Sequence, residues 1–534
     1  DSIRLVRERL AGGSEAYTLQ IDRDKIEIGA GDEVGWFYGL CTLRQIATQC
    51  SGMLLMCHIE DFPDFQKRGM MLDISRNKVP KLETLFFLIE QFASWKINEL
   101  QLYIEHTFAY EGHDTVWKDA SPLTKEDIQT LDAFCQERFI ELVPNLNCFG
   151  HMSRWLIHDA YRPLAEQPEG GDTDFGYRKV PQGLCAIDPG SITLAKDLIR
   201  QMTSCFQSGQ VNVGCDETID LGYGRSKPDV ERRGRGRVYL DFLKKIHAIC
   251  AAENKRMQFW ADILLKYPEL IAEIPKGCVV LDWGYEADHP FKKETRRLRN
   301  ANTDFYVCPG TSSWNSLGGR TENMIQNISS AAHHGRKQKA LGMMTTDWGD
   351  NGHWQPLVSS FSGFVLGASK AWNEAHSPPL HECLDVHVFR QHGLGDLLLA
   401  TGRLDESLGI KLHNKSILFV LLQSEAEEIK KLPGLKPGKL KQVLSATDKL
   451  IIQLEAISPE TTATQLFISE LLWVLKMLTL AGLRGIAILT GKPDPEIARL
   501  EQSLRDEHAS LWQLRNRPGG YSESRDLFAV LLQD

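Results

Sequence analysis

Between Arg68 and Trp372 the chain alternates short apolar, strand-like runs with longer amphipathic ones, and it does so eight times. The strand-like runs are Gly69–Ile74, Glu99–Glu105, Ile140–Asn147, Val211–Gly214, Met257–Trp260, Val279–Asp282, Phe305–Cys308 and Leu341–Thr345. Helical segments separate them. Lys81–Lys96 places Leu82, Leu85, Phe86, Ile89, Phe92 and Ala93 on one face behind Pro80, and Thr124–Arg138 opens on Thr124-Lys125-Glu126-Asp127, a capping box with Asp where Glu or Gln is usual. Eight βα units close a parallel sheet on itself, so this stretch predicts a (β/α)8 TIM barrel of the α/β class. A doubly wound sheet would need a Gly-rich phosphate turn after its first strand, and Arg68-Gly69-Met70-Met71-Leu72-Asp73 supplies none.

The flanks read differently. Residues 1–62 carry the alternating runs Tyr17–Ile21 and Lys25–Ile28, then an apolar-periodic segment from Val34 to Ala47, and end at the Asp61-Phe62-Pro63-Asp64 turn. They predict a small α/β domain, incomplete at its N-terminus, ahead of a barrel at 63–378. Residues 379–534 show helical periodicity in Ile417–Leu432, Leu440–Leu454, Thr461–Leu489 and Glu496–Leu514, which predicts a C-terminal α-helical domain. Its polar positions show no catalytic clustering, so it is read as covering the barrel wall or forming a homodimer face.

Composition excludes several function classes. With 61 Lys and Arg against 70 Asp and Glu the net charge is −9, which argues against nucleic-acid partners. The most apolar stretch, Leu466–Leu489, is interrupted by Glu470, Lys476 and Arg484 and reads as a buried helix, not a membrane span. Twelve scattered cysteines without a C-x-x-C favour a reducing, cytoplasmic compartment, while a start at Asp1 leaves room for a trimmed secretory or periplasmic signal.

In such a barrel the chemistry lies at the C-terminal ends of the strands. The residues there are Asp73, Glu105-His106, Asn147 to His151, Asp216-Glu217, Trp260 with Asp262, Asp282-Trp283, the Gly310–Trp314 loop and Asp347-Trp348-Gly349-Asp350. Carboxylates mixed with tryptophans suit a site that stacks sugar faces on indole rings. Asp216-Glu217 follows the apolar run Val211–Cys215, so two adjacent carboxylates lie in a partly dry cleft, one held protonated while the other stays ionised, as glycoside cleavage needs.

These motifs resemble those of family 20 glycoside hydrolases, the β-N-acetylhexosaminidases. Val213-Gly214-Cys215-Asp216-Glu217 is similar to the family's H-x-G-G-D-E, and Lys67-Arg68-Gly69 with Leu72-Asp73-Ile74-Ser75-Arg76 to its R-G-x-x-x-D-x-x-R. Phe149-Gly150-His151, Phe259-Trp260-Ala261-Asp262 and Asp347-Trp348-Gly349-Asp350 match further family positions, and Glu15–Asp64 resembles the small domain ahead of the barrel, with its first strands missing. Two loops depart from the pattern. Leu102-Tyr103-Ile104-Glu105-His106-Thr107 stands where many members have W-H-L-T-D-D, making Glu105 the substitute contact. Pro309-Gly310-Thr311-Ser312-Ser313-Trp314 lacks the family tyrosine for the acetamide carbonyl, a role that passes to Tyr285.

The resemblance implies an exo-acting, retaining β-N-acetylhexosaminidase that needs no cofactor or catalytic metal and removes terminal N-acetylglucosamine or N-acetylgalactosamine through an oxazolinium intermediate. Glu217 is implied as general acid and base, and Asp216 as the group that orients the 2-acetamido substituent. Arg68 would clamp sugar hydroxyls, with a structural pairing to Asp73 or Asp64 as its alternative. His151 would contact the sugar or hold Asp216, with a satisfied core histidine as its alternative. Trp260, Trp283, Trp314 and Trp348 would enclose the sugar, and Asp350 would accept from O4 or O6. A metal-dependent hydrolase would want His at strand ends, which Asp73-Ile74-Ser75 does not provide. The remaining alternative is a non-catalytic barrel that binds amino sugars.

Overall fold

The computed structural model describes residues 3–50, 52–76 and 78–528. Four strands, β1 (Ile3–Arg7), β2 (Tyr17–Ile21), β3 (Ile26–Ala30) and β4 (Cys57–Asp61), form a sheet in the order β1-β3-β2-β4. Only β1 and β3 run parallel. The helix Glu33–Gln49, capped by Asp32, packs Tyr38 and Leu43 onto Tyr17, Leu19 and Ile28. Sequence reading missed both outer strands: β1 is a mostly exposed edge, and β4 alternates between half-buried and exposed residues without a strong apolar run.

The eight expected barrel strands all form: β5 (Lys67–Asp73), β6 (Glu99–Ile104), β7 (Glu141–Leu146), β8 (Gln210–Asn212), β9 (Arg256–Trp260), β10 (Val279–Trp283), β11 (Asp304–Cys308) and β12 (Gly342–Asp347). They pair in parallel around a closed barrel, and the seam joins β12 to β5 with Gly342 opposite Lys67 and Asp347 opposite Leu72. The capping box at Thr124 forms with both of its hydrogen bonds, Asp127 serving in place of Glu. β8 is shorter than expected because the chain leaves extended geometry at Gly214, where φ is +68°.

The C-terminal region is helical. Its principal helices are Ile417–Gln423, Ala426–Lys430, Pro437–Glu455, Thr462–Thr490 and Pro495–Arg515, the first two separated at Ser424-Glu425 where one continuous helix was expected. Thr462–Thr490 is long and apolar enough to cross a membrane by length and composition, but two thirds of its most apolar window is buried inside the protein. Arg515 pairs with its Glu470, and Arg484 donates to the carbonyls of Leu421 and Ser424, so its charged groups are met inside the bundle.

Candidate active site

Beyond β8, Gly214, Cys215 and Glu217 all have positive φ, at +68°, +63° and +43°. Gly214 has no room for a side chain, since a Cβ there would stand 2.6 Å from Asn147 Cγ. For residues with a side chain this geometry costs about 1–2 kcal/mol each, so neighbours must hold it. The Tyr239 hydroxyl donates to the Cys215 carbonyl at 2.8 Å, and the Glu217 amide donates to Asp262 Oδ2 at 3.2 Å. Gly150 lets its loop press on the Asp216 carbonyl, where a Cβ would come within 2.1 Å. The left-handed turn abolishes the alternation of an extended strand, and both carboxylates converge on one atom. His151 Nε2 lies 3.3 Å from Asp216 Oδ2 and 3.5 Å from Glu217 Oε2. Asn147 Nδ2 donates to the other Asp216 oxygen at 2.7 Å.

These contacts push the two acids apart. Burial opposes the charge of Asp216, but the His151 cation and the hydrogen bonds from His151 and Asn147 outweigh it and hold the carboxyl below its usual range. Glu217 has no such donors; burial, with Asp216 beside it, prevails over His151 and raises it. His151, which burial alone would push down, is raised to about 9 by the charge and hydrogen bond of Asp216. Asp262, buried and facing both acids, is raised to about 7.

Around the acids lies a cavity of about 420 Å³ lined by Arg76, His151, Asp216, Glu217, Trp260, Trp283, Tyr285, Trp314, Trp348, Asp350 and Asn414. Trp283 stacks on Tyr285 at 5.2 Å, and Trp314 meets Tyr285 edge-on at 5.0 Å. Trp260 leans on Trp348 at 5.9 Å. Trp348 Nε1 donates to the Tyr285 hydroxyl at 2.7 Å, which directs the phenolic proton elsewhere. The indole N–H groups of Trp260 and Trp283 are buried without an acceptor among the described residues. Asp350, raised by burial, accepts from Asn315 at 3.3 Å.

Two expected site residues fall elsewhere. Arg68 does not reach the cavity: it is the second residue of β5, at the opposite end of the barrel, fully buried and paired in a fork with Glu15 of the small domain at 2.7 and 3.0 Å. The structural alternative for Arg68 is thus the one realised, with Glu15 as the partner. The cavity arginine is Arg76, three residues past the end of β5. Glu105 stands behind the wall, 3.3 Å from Arg76 and 2.9 Å from the Tyr103 hydroxyl that donates to it.

Sequence reasoning set Asp262 at a strand end without giving it a role, and no pattern announces its contact to the Glu217 amide; it missed Asn414 altogether. The latter belongs to the C-terminal region that was expected to stay out of the site. Its amide donates to Glu286, its carbonyl accepts from Asn315, and its Oδ1 is buried without a partner among the described residues.

Known proteins agree with this architecture. Residues 65–376 match the model of the glycosyl hydrolase family 20 catalytic domain, and residues 2–62 match domain 2 of the same family. The chain belongs to glycosyl hydrolase family 20. A relative, the beta-hexosaminidase of Vibrio furnissii, is 28% identical over 236 residues, a match that spans 38% of this chain and 38% of that protein. The solved chitobiase of Flavobacterium johnsoniae superposes over 96% of this chain and 88% of its own with a TM-score of 0.61 at 16% identity. The exo beta-N-acetylglucosaminidase of Vibrio harveyi, solved in complex with N-acetylglucosamine, covers 75% of this chain and 69% of its own at a TM-score of 0.59 and 17% identity. At these identities the solved structures speak for the family 20 fold.

Proposed function

We propose that the protein is an exo-acting, retaining β-N-acetylhexosaminidase that uses the substrate's own 2-acetamido group as nucleophile. The observation that carries this reading is the convergence of Asp216 and Glu217 on His151 Nε2, at 3.3 and 3.5 Å. In a glycosidase with a protein nucleophile, two carboxyl groups about 5–5.5 Å apart face each other across the anomeric carbon. Here both carboxyl groups reach the same histidine nitrogen, and we read them as approaching a sugar from one side.

Glu217, raised and aimed at the cavity, protonates the departing glycosidic oxygen and then deprotonates water. Asp216, held ionised, accepts the acetamide N–H and stabilises the positive charge of the oxazolinium ring. Tyr285 donates to the acetamide carbonyl, a role supported by its place in the cavity wall and by the engagement of its lone pair with Trp348. Arg76 takes the part first given to Arg68 and, with Asp350, binds the hydroxyls of one terminal N-acetylglucosamine or N-acetylgalactosamine.

Aryl glycosides that differ only at C2 test the proposal. The 2-acetamido substrates should turn over while the corresponding glucosides and galactosides do not, and thiazoline mimics of the bicyclic intermediate should inhibit. A glycosyl adduct on Asp216 or Glu217, trapped with a 2-fluoro sugar and seen by mass spectrometry, would overturn it.

A further inference from the structure

A second cluster of ligating groups lies outside the sugar cavity. Along β10, Val279 and Leu281 pack inside the barrel and Val280 in the outer core, so the alternation turns Asp282 outward toward the helix Phe291–Asn300. There it meets His289, from the loop after the strand, and Glu294, from the first turn of that helix. One donor atom from each of the three lies within 4.8 Å of the other two, and His289 Nε2 is 2.9 Å from Glu294 Oε2. The His289 ring is wedged against Gly284, where a Cβ would come 2.1 Å from Nδ1.

The cluster's nitrogen ligand is His289 alone, set against Glu294. Asp282 is fully buried, and neither of its carboxylate oxygens has a hydrogen-bond partner among the described residues; Glu294 Oε2 and His289 Nε2 face each other at 2.9 Å without hydrogen-bond geometry. Lys292 and Lys293, on the same helix, are exposed. Buried carboxylates are paired, protonated or bound to a cation, and among the described residues no side chain pairs with Asp282, while Glu294 meets only the imidazole of His289.

We propose that Asp282, His289 and Glu294 bind one divalent cation. One imidazole nitrogen with carboxylate oxygens selects the zinc and manganese class over magnesium and calcium, which prefer all-oxygen shells, and over copper(I), which prefers sulfur. The ion would tie the loop from Gly284 to His289 to the helix that follows it. That loop starts immediately after Trp283 and carries Tyr285, so the site sets two walls of the sugar cavity from behind without touching the sugar.

The test uses the full-length protein, stripped with chelator and then titrated separately with Zn²⁺, Mn²⁺, Mg²⁺ and Ca²⁺, with metal content and thermal midpoint as readouts. Zn²⁺ or Mn²⁺ should bind one per chain and raise the midpoint, with Mg²⁺ and Ca²⁺ weaker. Second-shell changes weaken metal sites about 10–100-fold, so removing a ligand with the near-isosteric Asp282→Asn should cost more than about 100-fold in affinity. His289→Gln provides a second variant should the first unfold. Binding unchanged in both variants would locate the ion elsewhere, on the free cysteines for instance, and overturn the proposal. So would a midpoint indifferent to all four cations that simply falls as pH rises, which would mark a proton shared by Asp282 and Glu294.

Discussion

Arg68 and Arg76 leave the same strand at opposite ends of the barrel, and at first inspection their surroundings match. Each guanidinium lies over two aromatic rings: Tyr38 and Trp372 at 5.4 and 5.0 Å for Arg68, Tyr103 and Trp348 at 4.8 and 5.2 Å for Arg76. Each also meets carboxylates. The difference is closure. Arg68 is completely buried, and its donors are taken by Glu15 and by the carbonyls of Lys96 and Phe65. Arg76 keeps 19% of its side chain exposed and faces the cavity. Cation stacking and ion pairing alone therefore do not distinguish a binding arginine from a structural one. What distinguishes them is whether donor capacity remains for a ligand.

The sharpest test of this division between the two ends is Glu217→Gln. We expect a loss of about 10²–10⁴ in rate toward poor leaving groups and much less toward activated aryl glycosides, since only the former need a proton. Because burial raises the Glu217 carboxyl, its ionised form costs stability as pH rises through the folded-state value, so the neutral glutamine should leave the thermal midpoint at pH 7 unchanged or higher. Equal losses on both substrate classes would break the assignment.

The two arginines should separate in paired measurements. Arg68→Met leaves Glu15 facing a buried, chargeless wall and should destabilise the protein by about 3–5 kcal/mol with kcat/KM of the surviving fold unchanged. Arg76→Met should lower kcat/KM by the equivalent of about 2–5 kcal/mol, and because it leaves the buried Asp73 without its cation it should lower the melting midpoint as well. A kinetic defect in the Arg68 variant under conditions where it is fully folded would contradict the comparison.

The pH profile should follow the same line. The His151 cation, present up to about pH 9, favours ionisation of both acids. His151→Gln should therefore move both limbs of the kcat/KM profile to higher pH, as Asp216 needs a higher pH to ionise and Glu217 keeps its proton longer. Substitution of Arg68 should not move either limb. The smallest effect belongs to Asn414→Ala, about 0.5–1.5 kcal/mol, a few-fold in KM with kcat unchanged, measured on a minimal substrate.

The barrel was legible in the sequence because each strand carries its own apolar run and each helix its own apolar face. β1 and β4 carry neither and are strands only because β3 and β2 offer them edges. The site was legible where function follows strand position, as for Asp216, Glu217 and the tryptophans lining the cavity. Arg68 was misread although the rule that excludes it was in hand: a residue at the start of a barrel strand cannot reach the cavity at the other end, whereas Arg76, in the same motif, can. Asn414 left no signal, because a loop about two hundred residues downstream of Glu217 reaches the cavity only through docking of the C-terminal region.

The Arg68 cluster also bears on the order in which the chain can become itself during synthesis. Glu15 and Tyr38 are made early, Arg68 opens the first barrel strand, and Trp372 ends the helix that follows the last one. Lys96 joins the same assembly, with its ammonium 4.2 Å from the Trp372 ring and hydrogen-bonded to the Tyr17 hydroxyl. A ribosome delivers these parts far apart in time, at about 5–20 residues per second. Trp372, the one barrel residue in the small domain's core cluster, is made last, so that core lacks its final member until the helix after β12 has emerged. The cluster is thus a clasp that closes only on a finished barrel, and a chain stopped before residue 372 lacks the ring over which both Arg68 and Lys96 lie.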